Sequence, residues 1–180
     1  MTIKREDVML MIVDFQERLL PVMADPCEVT KRAEILIRGM KELDVPMIIT
    51  QQYTKGLGMS APFVFEAAGT KEYMEKEEFS AMKSEEIINA VKALGKKYVV
   101  VCGIEAHICV LQTCLDLKAH GLNPVLAIDC INSRQKSNWE MAVMRARQEG
   151  ITVTSSESIL FELLERAGSD TFKAISKLIK

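Results

Sequence analysis

The sequence predicts an α/β fold, a mainly parallel sheet of about six strands with helices on both faces. Short apolar runs alternate with longer stretches that carry apolar residues at helical spacing, the pattern of parallel strands joined by crossover helices. The runs are apolar throughout rather than at every second residue, so their strands are covered on both faces. Polar residues collect where the runs end, which is where open α/β sheets place their sites.

The elements follow in order. "VMLMIVDF" (8–15) is a fully buried first strand. "DPCEVTKRAEILIRGMKELD" (25–44) places Val29, Ala33, Leu36, Ile37, Met40 and Leu43 on one helical face. "VPMIITQQY" (45–53) is the second strand, with Pro46 tolerated at its start. Residues 54–70 are expected to be irregular, and a short extended piece is expected near 73–79. "SEEIINAVKALG" (84–95) is a helix that Ser84 can cap and Gly95 can end. "KKYVVVCG" (96–103) is a strand, and 106–120 a helix closed by Gly121. A strand at 123–131, a helix at 135–150, a strand at 151–156 and helices at 158–168 and 170–180 complete the chain. No linker or repeat divides it, so residues 1–180 are expected to form one domain.

Composition narrows the function. Hydrophobic residues make up 48% and charged residues 27%, ordinary for a globular protein. The net charge is −2 and lysines and arginines sit beside acids, so no basic stripe invites nucleic acid. The apolar run "VMLMIV" spans only residues 8–13, short for a signal core or membrane helix. The five cysteines include no CxxC, and reduced thiols in a cytoplasmic protein are expected.

Four strand ends supply polar groups: Asp14, the pair Gln51 and Gln52, the turn "GIEAHIC", and Asp129. Asp14 alone could simply cap a helix. Cys102 falls inside a buried strand and is expected to be inert. Cys109 opens the helix after a glycine-bearing turn, where free N–H groups and the helix dipole lower a thiol pKa and can bind an oxyanion. By position alone it could equally be structural. His107, two residues away, does not face Cys109 on a helix and is expected to line a pocket or the surface. With only one other histidine, His120, a zinc site is poorly supplied. Lys76, in the run "KEYMEKEE", could be a solvated side chain, but "FSAM" turns apolar just after it.

"VDFQ" (13–16), "KEEFSAM" (76–82) and "CGIEAHICVLQTCLDL" (102–117), in that order, resemble the isochorismatase-like cysteine hydrolases. The resemblance extends to "TQQYTKGLG" and "SRQKSNWEMAVMRARQEG" and is nearest to the isochorismatase-domain-containing proteins. It implies a three-layer, Rossmann-like α/β/α fold and a triad of Asp14, Lys76 and Cys109. In that family the cysteine attacks a carbonyl carbon, the aspartate acts as general base and the lysine steadies developing charge. The resemblance also implies a cis peptide between Ile104 and Glu105, with the backbone amides of Glu105 and Cys109 as the oxyanion hole. Phe15, Gln16, Gln51, Tyr53, Phe79 and His107 are expected around the pocket. Nicotinamidases of this family hold a metal after the second strand, using residue types absent from "TQQYTKGLG"; no metal and no cofactor are expected here. Enzymes acting on isochorismate generally lack the cysteine.

A small amide or related acyl compound is therefore the expected substrate. A homo-oligomer is expected, with no nucleic-acid or membrane partner. A ligand-binding or scaffold protein that keeps the hydrolase fold is the rival reading. A redox pair of Cys109 and Cys114 is a third, and their separation on a helix speaks against it.

Overall fold

The computed structural model describes residues 3–180. Six strands form one sheet: β1 (Val8–Val13), β2 (Met47–Gln52), β3 (Met74–Lys76), β4 (Tyr98–Ile104), β5 (Asn123–Asn132) and β6 (Thr152–Thr154). Their spatial order is β3-β2-β1-β4-β5-β6, and every paired neighbour runs parallel. The order reverses between β1 and β4, so the chain winds outward from the centre in both directions.

The helices are α1 (Pro26–Glu42), α2 (Thr54–Leu57), α3 (Pro62–Ala68), α4 (Glu85–Leu94), α5 (Leu111–Ala119), α6 (Lys136–Gln148), α7 (Ser156–Leu164) and α8 (Asp170–Ile179). Helices α1, α3, α7 and α8 contribute to the core on one face of the sheet, and α4, α5 and α6 to the core on the other. Strand β1 shows why its run had to be apolar throughout. Val8, Leu10 and Ile12 enter the first core and Met9, Met11 and Val13 the second, all fully buried. This is the three-layer α/β/α architecture, and no helix among the described residues is long and apolar enough to cross a membrane.

Two expectations of local structure change. The 54–70 stretch folds as α2 and α3, with Pro62 in the first turn of α3 and Gly69 in the left-handed conformation at its end. The helix expected from 106 begins as a π turn at Ala106–Val110, and regular α5 starts only at Leu111. Both Ile108 N–H and Val110 N–H donate to the Glu105 carbonyl, at 3.1 and 3.2 Å. Cys109 thus sits inside a widened turn.

Candidate active site

Strands β1 and β4 leave the sheet side by side, and β2 and β3 end next to them, so four carboxyl ends meet at the point where strand order reverses. Asp14 follows β1 with φ of 53°, a left-handed backbone that aspartate tolerates better than most residues. Its carboxylate is buried and each oxygen accepts a hydrogen bond. Oδ1 accepts from Thr50 Oγ1 at 2.8 Å and Oδ2 from Lys76 Nζ at 2.6 Å. Lys76 ends β3, and both side chains of this ion pair are 0% exposed. Its ammonium also donates to Gln52 Oε1, Glu78 O and Phe79 O, each at 3.1 Å. In the charged run around it, Glu75, Glu77 and Glu78 are exposed to solvent while Lys76 is buried.

Cys109 is 6% exposed and its thiol donates to Gln52 Oε1 at 3.4 Å. Burial raises its pKa to about 12, and the nearby Asp14 charge adds to the rise. The Lys76 charge and a hydrogen bond from the Glu105 backbone amide pull it down. This corrects the expectation of a thiol acidified by a helix N-terminus: desolvation and a carboxylate neighbour set its pKa, and the resting sulfur is protonated.

The sulfur opens on a cavity of about 300 Å³. Leu19, Tyr53, Leu57, Phe79 and Ile108 give it apolar walls, and Gln52, Glu105, Cys109 and Arg134 its polar lining. Tyr53 and Phe79 are half-exposed and stand at the mouth. The Ile104–Glu105 peptide bond is cis. The Glu105 carboxylate is held by Arg134, with Oε2 accepting from its backbone N–H and Oε1 from Nε, both at 3.0 Å.

Four residues expected around the pocket are not among those lining this cavity. Phe15 is buried in the α1-side core, edge to face with Phe63 at 5.6 Å between ring centroids. Gln16 braces the chain instead, donating to Gln52 O and Gly58 O at 2.9 and 2.7 Å and accepting from Gln52 N–H at 2.8 Å. Gln51 accepts from Ser60 N–H at 2.7 Å and donates to Thr54 Oγ1 at 3.0 Å, which fixes the loop between β2 and α3. His107 is turned to Ser133, 3.0 Å away. Asp129 holds the start of α7 through the backbone N–H and hydroxyl of Ser156 and lies outside the cavity.

Sequence reasoning passed over Gln52 in favour of Gln51, and missed Thr50 and Arg134. The β2–β3 register identifies the first: Gln52 pairs with Lys76, so the two project from the same face. The end of β2 and the residue after it, Gln51, Gln52 and Tyr53, offer amides and a phenol and no imidazole or carboxylate. No group of three or more histidine, cysteine, aspartate or glutamate side chains among the described residues could hold a metal ion. The donor set does not fit one.

Residues 8–158 match the isochorismatase domain. Isochorismatase domain-containing protein 2 of Danio rerio is 33% identical over 171 residues, spanning 94% of this chain and 85% of that protein. The secreted isochorismatase effector Isc1 of Phytophthora sojae is 36% identical over 175 residues, spanning 95% of this chain and 83% of its own length. Among solved structures, the MAR1 ribonuclease from Caenorhabditis elegans superposes with a TM-score of 0.91 at 31% identity, covering 99% of this chain and 92% of that one. By domain match, by sequence and by fold, the chain belongs to the isochorismatase family of hydrolases.

Proposed function

We propose that the protein is a metal-independent cysteine hydrolase of a small carbonyl compound, an amide, acting through Cys109, Asp14 and Lys76 and a thioester acyl-enzyme. The observation that carries this reading is the Lys76–Asp14 ion pair, closed off from solvent beside a sulfur that opens on a cavity. A buried ion pair is poor value for stability alone. Set beside a nucleophile at a sheet's switch point, it supports chemistry.

The protonation state dictates the order of events. With the thiol pKa near 12, almost no thiolate stands ready at neutral pH. Asp14 therefore takes the thiol proton as the sulfur attacks the carbonyl carbon, and Lys76 keeps the charge of the site balanced. The carbonyl oxygen gains negative charge against the backbone N–H groups of Glu105 and Cys109. Collapse breaks the C–N bond, and Asp14 returns the proton to the leaving amine. A water then gives its proton to Asp14 and attacks the thioester, releasing the carboxylic acid and the thiol. The apolar walls suit a compact acyl group and limit its size. A homo-oligomer belongs to the same reading, and light scattering from the purified chain gives its subunit count.

The test is turnover of a panel of small amides by the wild type and by Cys109→Ala. The wild type hydrolyses at least one and Cys109→Ala none above background, while trapping at short times gives an acyl adduct on the Cys109 peptide. Equal turnover by the two proteins, or adducts on Cys102 or Cys114 instead, would refute the assignment.

A further inference from the structure

The carboxamide of Gln52 has one orientation that satisfies its neighbours. Nε2 donates to Glu77 O at 2.7 Å, so Oε1 faces the site. There it accepts from both Lys76 Nζ at 3.1 Å and the Cys109 thiol at 3.4 Å. Its backbone is clamped on both sides by Gln16, so the side chain is aimed from a fixed base. Asp14, by contrast, already has one oxygen on Thr50 and the other on Lys76.

We propose that Gln52 is a positioning residue that parks the protonated Cys109 thiol and releases it to Asp14 when a carbonyl compound enters. The proposal rests on Cys109 being the nucleophile. An amide oxygen stabilises the S–H that it accepts and repels a thiolate, so it opposes premature ionisation. On entry of the carbonyl, the sulfur turns from Gln52 Oε1 to the carbonyl carbon and its proton passes to the Asp14 carboxylate. Gln52 keeps its bond to Lys76 throughout, which holds the ammonium in place as the sulfur moves.

Near-isosteric substitutions give opposite signs. Gln52→Met removes the acceptor that disfavours the thiolate and leaves the Lys76 ammonium with one acceptor fewer beside the sulfur. Gln52→Glu keeps the shape and sets a carboxylate against the sulfur. The experiment follows modification of the full chain by iodoacetamide from about pH 7 to 9, with the Cys109 peptide quantified by mass and folding checked by circular dichroism. Relative to wild type, Gln52→Met reacts about tenfold faster and Gln52→Glu about tenfold slower, the change in thiolate fraction for one pKa unit. A merely structural residue would loosen the site alike in both, so shifts in the same direction, or none, overturn the proposal. Should Gln52→Glu not fold, Gln52→Asn, which withdraws the oxygen, takes its place; it must also react faster than wild type, and a wild-type rate in it or in Gln52→Met overturns the proposal. Alkylation needs no amide substrate, so this result stands apart from the turnover test of Cys109→Ala.

Discussion

At the scale of single residues, the site is organised around one buried charge pair whose members depend on each other. The Asp14 carboxylate and Lys76 ammonium have no solvent to turn to if one is neutralised. Asp14→Asn leaves a buried ammonium without its counter-charge and is expected to destabilise the protein by about 3–5 kcal/mol, read from urea unfolding. Adding Lys76→Met removes the orphaned charge, so the double variant should lose much less than the sum of the two single variants. Strict additivity would show that the pair is not coupled. All three variants should fail to turn over amides, which separates stability from chemistry. The sequence named both partners, but through the family pattern; local composition alone would leave Lys76 in water. What it could not give was the parity of β2. Adjacent glutamines face opposite ways on a strand, and only the β2–β3 register shows that Gln52 shares a face with Lys76.

At the scale of elements, the central strands were legible because burial on both faces demands unbroken apolar runs, as in β1. The loop between β2 and β3 was not, because its path is set by side chains that reach back across the fold, Gln16 to Gly58 and Gln51 to Ser60. The close approach of β1 and β4 carries its own test. Gly103, with φ of 142°, sits opposite Val13 in the register, and a Cβ there would lie 2.6 Å from Val13 Cβ and collide with the Val13 carbonyl oxygen. Those two residues lie immediately before Asp14 and shortly before Glu105, so the strand spacing sets the distance between the proposed base and the proposed oxyanion hole. Gly103→Ala is expected to cost about 1–3 kcal/mol from overpacking, with the positive φ adding to it. Amide turnover should fall further than the folded fraction does. Unchanged stability in urea would mean that the strands can part without penalty.

At the scale of the whole molecule, the two cores share a feature that makes stability depend on pH. Four of the five cysteines are buried. Cys102 and Cys130 lie in the α1-side core, and Cys109 and Cys114 in the opposite one. Burial raises all four thiols, Cys114 to about 12. Unfolding returns each to an ordinary thiol that ionises near pH 9. Below that pH both states hold the proton and the thiols contribute no slope. Above it the unfolded chain loses protons that the native state keeps, so stability falls as pH rises from the unfolded toward the folded pKa. One such thiol removes about 1.4 kcal/mol between about pH 8 and pH 10. Lysines and tyrosines titrate in the same range, so the decisive comparison is between variants. Cys114 touches neither the cavity nor the ion pair, and burial is the whole cause of its shift. Cys114→Ala should lower stability at neutral pH through its lost packing, yet lose about 1.4 kcal/mol less than the wild type over that alkaline interval. Urea unfolding at the two pH values measures both effects. Parallel declines in the two proteins would mean that the Cys114 thiol ionises as readily inside the fold as outside it, against its complete burial.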